Sequence, residues 1–512
     1  MNANVNAADQ SEVIAFLSRG ESYGEPSRPV ERIDTHISVV FLAGDRAFKL
    51  KRAVQFSYLD FSSLQSREKF CRRELDLNKR TAPQLYLAVR AVTRQADGSL
   101  RFDGNGQPID FVLEMKRFPE ADVFDQLADS GRLTPELTRE LTDVIAGFHA
   151  AAEITPQFGG STAIKNIIAG NTENLLASCP PLQPAQVQDL DADSRASLAR
   201  IRDLLDERQR NGKVRRCHGD LHLRNICLFQ GRPTLFDCIE FSDPMSCIDM
   251  LYDLAFLLMD LANRNLKDHA NAVFNRYLDL TGDLGGLPAI PLFMSVRAAV
   301  RAHVTIAAAR QKSPTVQSRR AQSYLDEAVE LLCTRTPRLI AIGGLSGVGK
   351  STVAQALAPE VTPMPGARVV RSDVLRKRLF DVAPEVRLPP SAYDQATNAR
   401  VYRTMQEHAW TSLAAGFTAI VDAAFLRPDE RDNIAEVAKR AGVPFTGLWL
   451  EAPADVLQQR VTARHGDASD ADAQIVRQQL TYDIGPVDWH RIDATRGTAA
   501  NVAALRSFIA AG

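Results

Sequence analysis

Residues 344–352 read GLSGVGKST, and this stretch decides the architecture around it. It satisfies the spacing G-x-x-x-x-G-K-[ST]. An apolar run, LIAIGG (339–344), precedes it and a helix-forming run, STVAQALA (351–358), follows. A strand that ends in glycines and enters a helix directly turns backbone N–H groups inward. With the positive end of the helix dipole, they cradle an anion. Gly344, Ser346, Gly347, Gly349, Lys350, Ser351 and Thr352 are therefore the candidate phosphate-binding set. Lys350 serves as the point charge on the terminal phosphates and Ser351 as a Mg²⁺ ligand. A plain glycine-rich turn is the competing reading, and the strand and helix on either side decide against it.

Downstream, apolar strands alternate with helical runs: ARVVRSD (367–373), FTAIVDAAF (417–425), PDERDNIAEVAKRAG (428–442) and VPFTGLWLE (443–451), then a last helical stretch. That alternation predicts a parallel, doubly wound α/β domain. Asp373 and Asp422 close two of the strands, and ligands of open α/β sheets gather at carboxyl ends. Arg460 and Arg464, four apart in LQQRVTARHGD, share one helical face ahead of a polar loop. They are candidates for a cover over transferring phosphate, against the plainer reading of a solvated basic face.

Upstream of CTRTPR (333–338) the pattern differs, which sets a domain boundary near residue 335. HISVVFL (36–42), the turn AGD and RAFKLKR (46–52) predict a β-hairpin, and SSLQSREKFCRRELDLNKRTA (62–82) a helix. Two more strands follow at 85–93 and 110–118, and helices dominate from 121 to about 210. Short strands then bracket HGDLHLRN (218–225), with Asp237 on a second strand in TLFDCIEF. Asp220 and Asn225 stand five apart on one loop. Phosphoryl transfer needs a carboxylate at the acceptor hydroxyl and an amide oxygen on Mg²⁺, and Asp237 is placed to chelate the same metal.

Composition narrows the classes. A chain of 512 residues exceeds one core, and 45% hydrophobic with 24% charged residues is ordinary for a globular protein. The net charge of −1 and the lack of a basic run argue against nucleic acid as a partner. Seven cysteines make no CxxC pair, which fits thiols in a reducing compartment. MNANVNAADQ has no signal-peptide pattern, and IDMLYDLAFLLMDLA (248–262) carries three aspartates, so it is expected in a core and not in a membrane. The expectation is a cytoplasmic protein.

In GLSGVGKST, SDVLRKRL (372–379), VDAAFLRPDER (421–431) and LEAPADVLQQRVTAR (450–464), the second half resembles the small P-loop kinases that include gluconate kinase and zeta toxins. The resemblance implies ATP-dependent phosphorylation of a small molecule, with Asp373 at the acceptor hydroxyl, Arg376 on an anionic part of the acceptor and Asp422 supporting Mg²⁺. Tyr393, Arg400 and Tyr402, in SAYDQATNARVYR, would line the acceptor pocket. The first half, in HGDLHLRN and the Asp237 strand, resembles the aminoglycoside phosphotransferase family, a relative of protein kinases. That resemblance implies a two-lobed domain (N-lobe about 1–118, C-lobe about 119–335) with Asp220 as base and Asn225 and Asp237 as metal ligands. His218 would brace the loop and Asp253 would tie it to a core helix. Lys49, paired to Glu74, would hold the α/β-phosphates, with Lys51 on the same strand face as its competitor; Met115 joins the cofactor-binding set. No G-x-G-x-x-G precedes Lys49, so cover for the phosphates falls to residues 35–38.

The fold expected is thus α+β and α/β: a two-lobed protein-kinase-like domain followed by a P-loop, doubly wound parallel-sheet kinase domain at 336–512. The function expected is that of a bifunctional kinase using ATP and Mg²⁺ on hydroxyl or phosphate groups of small hydroxylated metabolites, in sequence or separately. Two alternatives stand beside it: one active half with the other sensing nucleotide, and a toxin-like, macromolecule-directed kinase.

Overall fold

The hairpin predicted from residues 36–52 seeds the first sheet. In the computed structural model, which describes residues 9–56, 59–309, 314–463, 468–498 and 500–503, α1 (Ser11–Leu17) precedes β1 (Glu31–Asp34), β2 (Ser38–Ala43) and β3 (Arg46–Lys51). β2 and β3 close over Gly44-Asp45, with Gly44 at φ 62°, because a two-residue hairpin needs a left-handed residue in the turn. A short ribbon, β4 (Gln55–Phe56) and β5 (Leu59–Asp60), leads to α2 (Leu64–Asn78). β6 (Tyr86–Arg94), β7 (Leu100–Phe102) and β8 (Gln107–Lys116) complete an antiparallel sheet in the order β1-β2-β3-β8-β6-β7. Strand alternation sorts its faces. Val39, Phe41, Phe48 and Leu50 join a core with Val92 and Val112, so Lys49 and Lys51 share the opposite face of β3.

The helical part follows as α3 (Phe124–Asp129), α4 (Pro135–Ala151), α5 (Gly160–Leu176) and α6 (Pro184–Arg210). Next come β9 (Val214–Arg216), the hairpin β10 (Ile226–Phe229) and β11 (Arg232–Leu235), α7 (Asp243–Ser246), β12 (Cys247–Asp249) and α8 (Met250–Asn263). β9 pairs with β12, and β10 turns into β11 at Gln230-Gly231, both at positive φ. The apolar segment 248–262 supplies the end of β12 and most of α8, which is buried from Met250 through Leu261 despite Asp253 and Asp260, both used in hydrogen bonds described below.

After α9 (Lys267–Thr281), α10 (Ile290–Ala309) and α11 (Pro314–Glu330), the glycine-rich loop joins β13 (Leu339–Gly343) to α12 (Lys350–Leu357). The remaining elements are β14 (Arg368–Arg371), α13 (Ser372–Leu379), α14 (Gln395–Ala414), β15 (Ala419–Asp422), α15 (Pro428–Ala441), β16 (Phe445–Glu451), α16 (Ala454–Thr462), α17 (Ala473–Gln479) and β17 (His490–Asp493). All five strands are parallel, in the order β14-β15-β13-β16-β17. Ile340, Ile342, Val369, Ile420 and Leu448 fill one side of the sheet, and Leu339, Ala341, Val370, Val421 and Trp449 fill the other. β17 goes beyond the sequence reading, which ended in helix. Its residues HRID bury only Ile492, and a mostly exposed edge strand carries little hydrophobic signal. The structure also ends β14 at Arg371, so Asp373 lies in the first turn of α13 and not at a strand end.

By packing, the chain divides into Met1–Asp260 with Val296–Leu325, and Leu261–Ser295 with Asp326–Gly512. Residues 261–295, which the sequence reading placed with the first domain, thus group with the P-loop sheet, where α9 covers the edge strand β14. Asn271 Nδ2 donates to Pro365 O (2.9 Å) and Ala367 O (3.0 Å), and Val369 N–H donates to Asn275 Oδ1 (2.8 Å). Arg368, almost fully buried, pairs with Asp279 at 2.5 Å, and Phe274 stacks on Phe417. Side-chain amides here satisfy the backbone groups that an edge strand leaves open. Residues 284–307 are long and apolar enough to cross a membrane, but 72% of their most apolar window is buried inside the fold.

Candidate active sites

In the first unit, α8 holds the HGDLHLRN loop by both ends. Asp253 accepts from the N–H groups of His218 (3.0 Å) and Gly219 (2.9 Å) and contacts His149 Nε2 at 3.1 Å. Asp260, two turns along the same helix, accepts from Leu223 N–H at 3.0 Å. Gly219 has φ 86°, and a Cβ there would meet Met245 O at 2.9 Å, so the tight turn requires glycine. Asn225 Nδ2 donates to Asp220 Oδ2 (2.8 Å) and to Asp220 O (2.9 Å), bonds that leave the Asn225 Oδ1 lone pairs available to a cation. Burial would raise the pKa of Asp220, but His222, Arg301 and His218 together hold it well below the usual carboxylate range. The residue is therefore a fixed anion.

Asp237 is tied to that loop through its neighbours: Phe236 N–H donates to Asn225 O, and Ile239 N–H to His218 O, both at 3.0 Å. Its own backbone is left-handed, at φ 65°, with its N–H on Tyr86 Oη at 3.0 Å. Such strain in a non-glycine residue persists where surroundings over-determine it, and here it aims the carboxylate at Lys49. Lys49 Nζ lies 2.5 Å from Asp237 Oδ1 and 2.8 Å from Glu74 Oε1. Lys51 Nζ takes the other Glu74 oxygen at 2.5 Å and also pairs with Glu240. The side chain of Lys51 is 1% exposed and that of Lys49 14%, so Lys49 is the lysine that reaches the partly open Asp237 carboxylate. Met115 pairs with Ala47 across β3–β8 and is half-buried beside the Leu85–Tyr86 cluster. Residues 35–38 form a tight turn between β1 and β2: Thr35 Oγ1 accepts from Ser38 N–H, and His36 stacks on Phe56.

In the second unit, Gly344, Gly347 and Gly349 all have positive φ. A Cβ on Gly344 would strike Leu450 O at 2.5 Å and one on Gly347 Leu457 O at 2.6 Å, so these glycines are sterically required. Lys350 Nζ donates to Gly344 O (2.9 Å) and Leu345 O (3.1 Å). The parallel pairing of Ile342 with Asp422 brings β15 beside the loop, and Ser351 Oγ donates to Asp422 Oδ2 at 2.5 Å. A hydroxyl and a carboxylate in contact at a helix N-terminus suit a Mg²⁺ ion that also meets phosphate. Arg371 bridges them, 3.1 Å from Ser351 Oγ and 3.5 Å from Asp422 Oδ2. Burial, and then Asp422, raise the pKa of Asp373, with Arg371 and Lys350 pulling the other way.

Arg376 is buried, donates to Ala392 O (2.9 Å) and stacks its guanidinium 4.6 Å from the Tyr393 ring. Tyr402 instead packs on Phe425 and accepts its N–H at 3.2 Å. Arg400 and Thr352 are exposed. Arg460 donates to Val348 O (3.1 Å) and Ala494 O (3.0 Å), so its guanidinium braces the phosphate loop and the β17 exit. Arg464 lies outside the described residues. Sequence reasoning passed over Glu240, Tyr86, Arg371, Lys377, Asp470 and Gln479, the last accepting from Ser346 N–H at 2.8 Å. Only Arg371 and Glu240 carried a signal, as charges within apolar strand-like runs.

Over 480 residues the chain is 30% identical to an uncharacterized protein of Mycobacterium tuberculosis, covering 90% of this chain and 91% of that protein; an uncharacterized protein of Mycobacterium bovis aligns equally. The chain belongs to their family. Within this family layout, residues 46–289 match the phosphotransferase enzyme family and residues 339–482 match an AAA domain. A protein-kinase-like phosphotransferase domain is therefore followed by a P-loop kinase domain built on a five-stranded parallel sheet. Among solved structures, a gluconokinase from Sinorhizobium meliloti aligns with 33% of this chain and 89% of its own, at 23% identity and TM-score 0.25. A choline/ethanolamine kinase family protein from Mesorhizobium loti aligns with 60% of this chain and 92% of its own, at 13% identity and TM-score 0.37.

Proposed function

We propose that the protein is a bifunctional ATP-dependent kinase of small hydroxylated metabolites, with one Mg-ATP site in each of its two kinase-type domains. The observation that supports this reading is that charged and hydroxyl groups suited to phosphoryl transfer come together in each domain. In the first, Lys49 is shared between Glu74 and Asp237, and Asn225 holds Asp220. Lys49 would steady the α/β-phosphates, Asp237 and Asn225 Oδ1 would hold Mg²⁺, and Asp220 would orient the acceptor hydroxyl and accept its proton. In the second, Ser351 meets Asp422 at a loop whose Gly344 and Gly347 have no room for a side chain. Ser351 and Asp422 would hold Mg²⁺, Lys350 would swing to the phosphates, and Asp373 would take the acceptor proton. Burial suits Asp373 to that role, because a raised pKa gives a stronger base once ionised. Mg-ATP supplies the transferable phosphoryl group and the charge that neutralises it.

The test is a phosphorylation screen of hydroxylated metabolites by mass spectrometry with intact protein, Asp220→Asn and Lys350→Ala. Each change should abolish one set of products and leave the other. If either change alone stops all ATP turnover, two independent sites do not exist.

A further inference from the structure

The acceptor side of the P-loop domain contains a cluster of donors that the phosphate machinery does not use. Lys377 Nζ, Tyr393 Oη and the Leu388 N–H converge on a single oxygen, Asp470 Oδ2, at 2.6, 2.6 and 2.9 Å. Lys377 is 1% exposed at its side chain, and the stacked Arg376–Tyr393 pair adjoins it. Three donors on one oxygen, one of them a buried ammonium, make a site shaped for an anion. Lys377 also follows Asp373 by four residues on α13, so the two side chains stand on one helix face with Cβ atoms about 5–6 Å apart. The residue before Asp470 completes the pattern. Ser469 stands close enough to Asp373 to lower that carboxyl's pKa, on the side where an acceptor must place its hydroxyl for proton transfer.

We propose that Lys377, Tyr393 and the Leu388 amide form an oxyanion subsite for the acceptor, and that Ser469-Asp470 fills it as an internal surrogate. The dipeptide presents a hydroxyl to the candidate base and a carboxylate to the donor cluster. An acceptor that replaces it carries the same two groups: a reactive hydroxyl and, a few bonds away, a carboxylate or phosphate monoester. The surrogate competes with that acceptor and lowers its apparent affinity by the fraction of molecules in which Asp470 occupies the subsite. The inference rests on reading 336–512 as a hydroxyl kinase.

Calorimetric titration of the full-length protein, saturated with Mg-ADP, tests it with three probes: threonate, glycerol 3-phosphate and the neutral polyol erythritol. Asp470→Ala should bind at least one acid about tenfold more tightly than wild type, with erythritol unchanged, because the lost competitor is a charged hydrogen-bonded group. The acid that gains identifies the anion as carboxylate or phosphate. Adding Tyr393→Phe should remove most of the gain. Asp470→Asn, which keeps the side-chain shape, should give a smaller gain and carries the test if the alanine variant does not fold. Equal or weaker binding of both acids by the Asp470 variants, or an equal gain for erythritol, overturns the proposal. Binding is read without turnover, so the two readings fail separately. Absence of any Lys350-dependent phosphorylation defeats the kinase reading, and unchanged acid binding defeats the subsite.

Discussion

Lys51→Met should destabilise the first unit while Lys49→Met should disable it, although the two lysines share one strand face and one glutamate. Lys51 is 1% exposed, Glu74 is fully buried and Glu240 is 5% exposed. Removing the Lys51 ammonium strips Glu240 of its ion-pair partner and leaves Glu74 with Lys49 alone. Breaking a buried pair by deleting one partner costs about 3–5 kcal/mol. At about 2–4 °C per kcal/mol for a unit of this size, the melting transition should fall by roughly 10 °C. Deleting Lys49 leaves Glu74 paired to Lys51, and its other partner, Asp237, is 41% exposed and can turn to water. That loss is about 1 kcal/mol, or roughly 3 °C. Activity should respond in the opposite order. In a Lys350→Ala background that isolates the first site, Lys49→Met should cut ADP release by about a hundredfold or more, the scale set by removing one preorganised group from developing charge. Adding Glu240→Gln to Lys51→Met neutralises the stranded carboxylate and should recover at least about 1 kcal/mol. Circular dichroism melts and a coupled ADP assay suffice. If Lys49→Met destabilises as much as Lys51→Met, or Lys51→Met melts like wild type while losing turnover, the two lysines have been given each other's roles.

Asp373→Asn should raise the melting temperature of the second unit at pH 7. The folded state raises this carboxyl's pKa, chiefly by burial and then by Asp422, so its ionised form opposes folding. That penalty exists above the folded pKa and vanishes below the unfolded one, so the gain should disappear near about pH 3; a gain that is flat with pH refutes the cause. A fragment starting at residue 336 should melt well below the same unit in the full chain, because it loses Asp279 from buried Arg368 and the Asn271 and Asn275 amides from β14. A fragment starting at residue 261 should lose less, and equal melting of the two fragments counts against α9 as the cover of that edge.

Much of both candidate sites was legible because the residues that make them up sit close together in sequence. A phosphate-binding loop needs glycines, a lysine and a serine at fixed, closely spaced positions, since in such motifs one strand–turn–helix carries all the groups. Asp220 and Asn225 likewise share one loop, and Asp237 follows twelve residues on, two past the end of β11 and not on a strand as the sequence suggested. What escaped notice is chemistry made by distant segments. Glu240 gains meaning only when it meets Lys51, 189 residues earlier, in a place without water. Asp470 meets Lys377 across 93 residues. Arg460 looked like a phosphate-facing arginine by its helical spacing, and backbone carbonyls claimed its guanidinium.

By itself the sequence determined the two architectures and their order, because periodicity, turn glycines and short motifs act through local backbone geometry. It left open which of two lysines on one strand face reaches the open carboxylate. It also could not say where residues 261–295 pack or which donors meet Asp470. Those were decided by the tertiary structure. A buried charge is worth only what its neighbours make it, and those neighbours arrive from elsewhere in the chain.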